Sequence, residues 1–495
     1  MKNKFNLTRK QNVFITKRSL VNCIWKSKDS EMIGVEWCML FSSLLFIFFF
    51  LPIFLLIYYL VPFKFKNIIL LIFSLVFYAW GEPKYIFLLI FVTLLNYICG
   101  LLIDKNKNKK TRKYIMIICV ILNISLLCFF KYTNFIIDNL NSLGLNFNVI
   151  NIALPLGISF YIFQTMSYTI DLYKNKVQVE KNFLNFLTYI SMFPQLVAGP
   201  IVRYEDVAKE LKNRKIDFNS FSQGLFIFFT GLFEKVLIAN NVGHLHSLIV
   251  SDISNISLST AWLGIIAYTL QIYFDFNGYS TMAIGMGKMM GFYFPKNFNY
   301  PYISTSVTDF WRRWHITLST WFRDYVYIPL GGNRVKKYRW LINIMIVWTL
   351  TGLWHGASWN FVIWGMYFGI LLILEKLFIG KFIDKLPKFF RHIYALFFIL
   401  IGWLIFFCDD LTLLYNYIPK IFNNPTIIDN EFIFYIKNYM IFLISGILFS
   451  IPIVNKIKKT KITKTIVIIA YVFLFVVCIC QLCSDSYNPF LYFRF

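Results

Sequence analysis

Two histidines have the side chains best suited to chemistry in this chain, because each lies in or beside an apolar run of membrane length. His355 ends the apolar run 340–354, and His315 follows the aromatic and basic residues Trp311-Arg-Arg-Trp. An ionisable side chain is costly to keep at membrane depth, and imidazole exchanges protons near neutral pH. We therefore expect His355 and His315 to take part in proton transfer at a buried site.

The segment around His315 has the spacing of one amphipathic helix. As a helix, residues 308–323 carry a continuous polar stripe, made of Thr308, Arg312, His315, Ser319 and Arg323. This pattern predicts a helix whose polar face borders a hydrated cavity. The alternative is an interfacial helix with its arginines on lipid phosphates and its tryptophans in the aromatic belt.

His355 is followed at once by Gly356 and then by a second apolar run. This order predicts a helix break that presents the imidazole to the protein interior. The alternative is a buried histidine that only hydrogen-bonds a carbonyl at the break. We interpret His244, His246 and His392 as surface or structural residues. Neither they nor the nine cysteines have the spacing of a complete ligand set, so no metal site is predicted.

The composition is typical of a polytopic membrane protein and excludes a soluble globular domain. Of the 495 residues, 58% are hydrophobic and 15% are charged, and the mean hydropathy is +0.61. We predict an all-α fold with about 9 to 12 transmembrane helices, together with re-entrant and interfacial helices. The apolar runs lie at 39–61, 67–80, 85–103, 114–130, 152–173, 221–239, 261–275, 340–354, 359–378, 393–408, 433–453 and 465–483.

The net charge of +25 comes largely from short basic loops between apolar runs, which favours a membrane topology signal over nucleic-acid binding. The densest loops, 104–113 and 455–464, are predicted to be cytoplasmic. We expect membrane lipid and no nucleic acid as a partner. The polar extension 1–38 carries eight Lys or Arg, yet this topology places it on the extracytoplasmic side, where a basic segment is disfavoured. We expect translation to begin at Met39 or Met32; the alternative is a genuine polar tail.

Three zones follow one another along the chain. Residues 39–130 and 379–495 have uninterrupted apolar runs, whereas 150–365 is interrupted by glycine, proline and polar residues. Irregular backbone at membrane depth is tolerated only where it is buried in protein or lines a cavity. We therefore predict that the central zone holds the site. Its interruptions include Pro155, Gly157, Pro194, Gly199, Gly224, Gly231, Gly278, Gly285, Gly287, Gly291, Pro329, Gly352 and Gly356.

Several ordered motifs resemble those of the membrane-bound O-acyltransferase (MBOAT) superfamily, in the branch of the alginate and peptidoglycan O-acetyltransferases. The likeness runs from Met39 to the C-terminus, so we expect one transmembrane domain over 39–495, with 39–130 as N-terminal helices, 150–365 as catalytic core and 379–495 as C-terminal helices. The motifs are Phe77-Tyr-Ala-Trp-Gly-Glu-Pro, Pro155-Leu-Gly-Ile-Ser-Phe-Tyr, Phe193-Pro-Gln-Leu-Val-Ala-Gly-Pro, Asp275-Phe-Asn-Gly-Tyr-Ser, Phe310-Trp-Arg-Arg-Trp-His, Trp321-Phe-Arg-Asp-Tyr, Ile328-Pro-Leu-Gly-Gly-Asn-Arg and Leu353-Trp-His-Gly.

The resemblance implies a many-helix fold with a narrow channel joining the two faces of a bacterial cell membrane. It implies that His355 is catalytic and that His315 is a second residue needed for activity. By the same resemblance an acyl group arrives from the cytoplasm as a thioester, with acetyl-CoA as the expected donor and no bound cofactor. The acceptor is expected to be an extracytoplasmic polysaccharide or peptidoglycan hydroxyl, reached with the help of an SGNH-type acetyltransferase. Thr281 stands where relatives often have Asp, and receives no role.

The residue types fit this chemistry. A hydroxyl must lose its proton to attack a thioester, which suits His355 as general base. His315 could orient the acceptor or stabilise the oxyanion, and Trp354 and Trp311 could form apolar walls. Arginines bind phosphate well, so Arg312, Arg313 and Arg323 are expected to hold the phosphates of a coenzyme donor or of lipids. The candidate binding residues are Trp354, Trp311, Arg312, Arg313, Ser319, Arg323, Asp324, Asp275, Asn277 and Asn333.

Two other functions stay open at this point. One is a transporter or flippase, in which buried His and Asp form a proton relay, although no inverted repeat is evident. The other is a D-alanyl transferase for teichoic acid. The Tyr327-Ile-Pro-Leu-Gly-Gly-Asn-Arg stretch favours the acetyl branch over it.

Overall fold

A backbone that crosses hydrocarbon must pair its own N–H and C=O groups, so apolar runs of this length fold as helices. The computed structural model describes residues 39–150, 152–197, 199–408, 410–453, 461–484 and 487–491. Within these ranges all the regular structure is helical, as predicted. The extension 1–38 and most of the basic loop 455–464 lie outside the described residues, so the predictions about them remain predictions.

The first ten α-helices are preceded by a π-helical turn, Phe46–Phe50, and a second π-helical segment, Glu234–Ala239, joins α9 to α10. Their bounds are α1 Leu51–Leu60, α2 Phe63–Gly81, α3 Ile86–Lys105, α4 Lys109–Ser142, α5 Ile158–Tyr173, α6 Phe183–Ser191, α7 Phe193–Leu196, α8 Tyr204–Lys212, α9 Phe218–Phe233 and α10 Asn240–Ser251.

The remaining helices include the two short ones that carry the His315 region. A 3₁₀ turn, Pro301–Ile303, and two further π-helical segments, Arg323–Tyr327 and Glu375–Ile379, lie among them. The bounds are α11 Leu258–Met289, α12 Val307–Arg313, α13 Ile316–Phe322, α14 Lys337–His355, α15 Trp359–Leu374, α16 Gly380–Ile383, α17 Lys388–Phe407, α18 Leu411–Phe422, α19 Asn430–Phe449 and α20 Lys461–Ser484.

Eight helical segments among the described residues are long and apolar enough to cross a membrane, so the protein is a multi-pass membrane protein. Eight is just below the predicted range of about 9 to 12 crossings. Three helices could make up the difference: the shorter apolar Phe46–Leu60, and α11 and α14, which have the length of a span but a less apolar sequence. The eight are Phe63–Gly81, Ile86–Lys105, Lys109–Ser142, Phe218–Ser251, Trp359–Ile383, Lys388–Phe407, Asn430–Phe449 and Thr465–Ser484.

One end of the helix bundle is marked by the basic loop 104–113 and is called the basic face here. Arg112 Nη2 donates to Asn175 Oδ1 at 2.6 Å, just beyond the end of α5. The Tyr325 hydroxyl donates to Asp171 Oδ2, in the last turn of α5, at 2.5 Å. The C-terminal end of α5 and the π-helical segment that contains Tyr325 therefore lie at the basic face.

Helix α14 runs from the basic face into the protein. Its first turn is held by Trp340, whose Nε1 donates to the Tyr327 hydroxyl at 3.1 Å. From its first residue, Lys337, to its last, His355, the helix rises about 27 Å at 1.5 Å per residue. At the far face, Trp359 Nε1 at the start of α15 donates to Asn139 Oδ1 near the end of α4 at 2.8 Å. His355 therefore lies deep in the bundle, remote from the basic face.

Six glycines that were interpreted as interruptions lie inside continuous helices, so that interpretation was wrong for them: Gly224, Gly231, Gly278, Gly285, Gly287 and Gly352. The first four line the crossing of α9 with α11, where small residues let two backbones approach closely. A Cβ at Gly231 would lie 2.4 Å from the Gly278 carbonyl oxygen, and one at Gly224 would lie 2.6 Å from that of Gly285. The physical reason is that a membrane helix tolerates glycine when a neighbouring helix fills the space.

The same kind of contact fixes the helix that ends in His355. A Cβ at Gly352 of α14 would lie 2.2 Å from the Phe361 carbonyl oxygen, and a Cβ at Gly365 of α15 would lie 2.3 Å from that of Trp348. Only glycine allows the two backbones to lie this close. Because Gly352 is one turn before His355, the spacing of α14 and α15 sets the position of the imidazole.

We predict that Gly352→Ala separates the ends of α14 and α15, because the new methyl group would overlap backbone atoms that cannot move away. The expected loss of stability is about 1–3 kcal/mol, with a larger relative loss of activity. Gly369→Ala is the matched control, since its Cβ would meet the Met345 sulfur and Trp348 Cβ at 3.1 Å, which requires a shift of only a few tenths of an ångström, whereas the Gly352 contact is 2.2 Å to a backbone oxygen. Thermal unfolding in detergent measures both; equal midpoints would contradict the prediction.

Candidate active site

A cavity of about 610 Å³ extends from the basic face to both histidines and is called the basic-face cavity. Residues at its outer end include Tyr327, Trp340 and Asp384, and its inner end is lined by His315 and His355. Its walls combine aromatic residues with polar and charged ones. Further lining residues are Ser306, Thr308, Trp311, Arg312, Leu318, Ser319, Phe322, Arg323, Val347, Trp348, Thr351, Glu375 and Lys376.

All five residues of the predicted polar stripe line this cavity, although they do not lie on one helix. Helix α12 ends at Arg313 and α13 begins at Ile316, so the prediction of a single helix over 308–323 was wrong. The physical reason is a competing loop. The Arg313 carbonyl accepts from the Asn299 N–H at 3.0 Å, and the Ile316 N–H donates to the Asn297 carbonyl at 2.9 Å.

His315 lies at this break in the left-handed region, with φ 42° and ψ 54°. A non-glycine residue there costs about 1–3 kcal/mol, and such strain clusters at functional sites. The imidazole is almost fully buried, with 1% of its residue surface exposed. The break therefore places a strained, buried histidine at the inner end of the cavity.

Asn297 holds the His315 ring, a role that the sequence analysis missed. Its Oδ1 accepts from the Thr317 hydroxyl at 2.9 Å and lies 3.0 Å from His315 Nδ1. Because Oδ1 can only accept, Nδ1 carries the proton and Nε2 is the acceptor nitrogen of the neutral ring. The only sequence signal was an asparagine in the loop Pro295-Lys-Asn-Phe-Asn that precedes the 3₁₀ turn.

His355 is the last residue of α14, which confirms the predicted helix break. Its ring is surrounded by aromatic side chains, with centroids 5.0 Å from Trp354, 5.0 Å from Trp364 and 5.3 Å from Phe406. Trp354 also lies 5.9 Å from the His315 ring. The break between α12 and α13 and the end of α14 thus bring the two imidazoles to the same region, with Trp354 beside both.

A second cavity of about 70 Å³, called the far-face cavity, borders His355 on the other side. It is lined by Lys131 of α4, Trp354 and the segment 154–160. Lys131 Nζ donates to the Trp354 carbonyl at 2.5 Å, and the Tyr132 hydroxyl donates to the Leu353 carbonyl at 2.6 Å. His355 therefore lines two cavities, and neighbours from α4 bind the carbonyls at the end of its helix.

The predicted basic residues differ in where they lie. Arg312 and Arg323 line the basic-face cavity, and Arg323 Nε is paired with Asp324 at 2.7 Å. Asp324 also accepts from Arg203 at 2.8 Å; burial raises the pKa of this carboxyl, but the two guanidiniums outweigh it and leave the pKa below its usual value. Arg313 is not brought to the cavity, because it pairs with Asp309 at 3.0 Å.

Three other predicted site residues do not line the basic-face cavity. Asp275 borders His355 in a packed region and forms a buried ion pair with Lys235 at 2.6 Å. Asn277 donates to Glu234 at 2.8 Å, and Asn333 is exposed in the turn after the π-helical segment. Asp275 and Asn277 thus hold neighbouring helical segments together, and Asn333 lies at the surface.

The remaining histidines lie elsewhere, as interpreted from the sequence. His244 Nδ1 is 2.7 Å from the Tyr439 hydroxyl, and His246 Nδ1 is 3.0 Å from the Gly264 carbonyl oxygen. His392 Nδ1 is 3.0 Å from the Ser304 carbonyl oxygen. None of the three lines the cavities described above.

Residues 72–418 match the family model described as MBOAT, the membrane-bound O-acyltransferase family. The chain belongs to this family. It is therefore an O-acyltransferase, and the predicted resemblance is confirmed. The matched range contains His315, His355 and Lys131, the ionisable residues that line the inner ends of the two cavities.

Individual relatives agree with this membership. The acyltransferase is 41% identical over 397 residues to the probable alginate O-acetylase AlgI of Azotobacter vinelandii, which covers 78% of each chain. It is 37% identical over 409 residues to the peptidoglycan O-acetyltransferase of Helicobacter pylori, covering 75% of this chain and 78% of that protein. Similarity to the teichoic acid D-alanyltransferase of Bacillus subtilis is weaker, at 30% over 241 residues, 46% of this chain and 60% of that one.

We predict that Asn297→Ala lowers acyl transfer roughly 10- to 100-fold, because the His315 ring loses the acceptor that fixes its orientation. Asn299→Ala is the matched control: it lies in the same loop, but its side chain is exposed and its described contacts are made by the backbone. Initial rates of the purified variants measure the difference. Equal rates in the two variants would contradict the assigned role of Asn297.

Proposed function

We propose that this acyltransferase moves an acetyl group from a cytoplasmic thioester to a hydroxyl of an extracytoplasmic polysaccharide or peptidoglycan, with His355 as general base. The single observation that carries the proposal is that His355 lines two cavities on opposite sides of the same helix end. Donor and acceptor can then meet at one imidazole from opposite faces of the membrane.

The direction of transfer follows from the charge distribution. The basic face carries loop 104–113, and the positive-inside rule assigns such loops to the cytoplasm. The basic-face cavity opens at the start of α14, beside Lys376 and Tyr327. We therefore infer that the donor enters from the cytoplasm of a bacterial cell and that the far-face cavity serves the acceptor.

The chemistry needs two proton transfers, the formation of one carbon–oxygen bond and the cleavage of one carbon–sulfur bond. His355 takes the proton of the acceptor hydroxyl as the oxygen attacks the thioester carbonyl carbon, forming a tetrahedral oxyanion. Collapse of that intermediate expels the thiolate, which receives the proton from the imidazolium. The products are an ester and a free thiol. His315, held by Asn297, lies at the donor side and orients the thioester.

The donor-side wall has the charge that a phosphorylated thioester requires. Arg312 is exposed to the cavity and forms no hydrogen bond or ion pair with another described residue. Lys376 is exposed near the cavity mouth, 4.6 Å from the Trp340 ring centroid. Acetyl-CoA carries phosphates that guanidinium groups bind well, which supports it as the donor. An SGNH-type protein is the proposed extracytoplasmic partner.

D-alanine transfer to teichoic acid is the second candidate, supported by the 30% identity with the Bacillus subtilis protein over part of the chain. Acetyl transfer has the stronger support, because the similarity to the O-acetylase and the O-acetyltransferase extends over at least three quarters of this chain at higher identity.

We predict that cells carrying His355→Ala lose the same base-released ester as cells without the gene, since His355 is the histidine that lines both cavities. Acetate and D-alanine are measured on purified wall and secreted polysaccharide. His244→Ala is the control, because this histidine lies outside both cavities. Loss of D-alanine would favour the second candidate; unchanged esters would overturn both.

We predict that Arg312→Ala raises the KM for the thioester donor about 10-fold and leaves kcat nearly unchanged, because it removes a contact made equally in the bound and transition states. Arg313→Ala is the matched control, since the adjacent guanidinium is held by Asp309 outside the cavity. Steady-state kinetics with acetyl-CoA as the varied substrate measures both. A donor KM equal in the two variants would contradict donor binding by Arg312.

A further inference from the structure

A lysine is buried beside the candidate base. Lys131 is 9% exposed and lines the far-face cavity together with His355. Its Nζ donates to the carbonyl of Trp354, the residue that precedes His355 in the chain, at 2.5 Å. The ammonium group is thus bound to the residue that precedes the candidate base, and it lines the cavity assigned above to the acceptor.

The charge of Lys131 is not neutralised by a carboxylate in the described part of the chain. No Asp or Glu lines the far-face cavity, and among the described residues Lys131 forms no ion pair. Burying a cation without a counter-ion is expensive, and intramembrane lysines therefore mark functional sites. The cavity is open to a ligand whose charge would supply the missing partner.

Helix capping alone does not explain a lysine at this position. The last four carbonyls of a helix lack intrahelical partners and need donors, and any donor will do. The neighbouring carbonyl, that of Leu353, is capped at 2.6 Å by the neutral hydroxyl of Tyr132. A lysine has three N–H donors, and one of them suffices for the Trp354 carbonyl. The charge and the remaining donors are available to the cavity.

We propose that Lys131 is a catalytic residue that stabilises the oxyanion formed when the acceptor hydroxyl attacks the thioester. The inference rests on the proposed function. In the tetrahedral intermediate the former carbonyl oxygen carries a full negative charge, and the Lys131 ammonium binds it through an N–H donor without giving up a proton. The carbonyl double bond re-forms as the carbon–sulfur bond breaks and the thiolate leaves. Lys131 keeps its proton throughout.

The test compares three variants that separate charge from capping. Lys131→Met removes both, Lys131→Gln keeps a donor for the Trp354 carbonyl but removes the charge, and Lys131→Arg keeps both. Tyr132→Phe is the matched control, since it removes the adjacent cap and no charge. Acetyl transfer from acetyl-CoA by the full-length protein in proteoliposomes gives kcat and KM, and binding of a non-reactive thioether analogue of the donor reports an intact site.

Loss of one preorganised oxyanion donor lowers kcat about 100- to 1000-fold. We expect that loss in Lys131→Met and Lys131→Gln with unchanged analogue binding, recovery of at least about tenfold in Lys131→Arg, and a smaller loss in Tyr132→Phe. If Lys131→Met does not fold, Lys131→Gln decides alone. A glutamine variant as active as wild type, or a phenylalanine variant as impaired as glutamine, overturns the assignment.

Wild-type protein and His355→Ala are measured alongside. Wild-type protein without transfer from acetyl-CoA to any hydroxyl overturns the proposed function and the role of Lys131 with it. Active wild type with unimpaired Lys131→Gln overturns the role of Lys131 alone. The two failures are therefore distinguishable.

Discussion

The buried end of α14 is the constraint on which the rest of the site depends. A helix that ends inside the protein leaves carbonyls that water does not reach, so the protein must supply donors. Lys131 and Tyr132 of α4 do so for Trp354 and Leu353. This arrangement fixes the backbone of the residue that follows, His355, and leaves room on both sides of its ring. The cavities exist because the helix stops where it does.

Close packing works together with this cap. The Gly352 contact brings α15 against the last turn of α14, so the helix end is held from a second direction. Helices α9 and α11 are packed by the same kind of contact, which there involves four glycines instead of two. In a membrane the hydrophobic effect does not drive helices together, and close contact between backbones supplies much of the packing energy. Glycines therefore act here as contact points rather than as breaks.

How much could be predicted from the sequence depends on whether a feature is local. The helix end at His355 was predicted correctly, because Trp354-His-Gly followed by a new apolar run is a local pattern. The five cavity residues between 308 and 323 were found from helical spacing, yet the helix itself is broken. That break depends on Asn297 and Asn299, whose bonds to this segment no periodicity reveals. Lys131 was missed for the same reason, since α4 is more than 200 residues away in the chain.

The two cavities that His355 lines differ in their charged residues. This difference suits the proposed transfer from the basic face to the far face. The basic-face cavity is large and carries arginines near a mouth of mixed charge, which suits a bulky anionic donor that enters and leaves. The far-face cavity is small and is lined by one buried lysine, Lys131, together with His355. In the proposed reaction, the negative charge of the donor binds far from the reacting carbon, and the negative charge that develops on the oxyanion binds next to it. Because Coulomb attraction grows in a desolvated site, the proposed role of Lys131 is exerted mainly on the transition state.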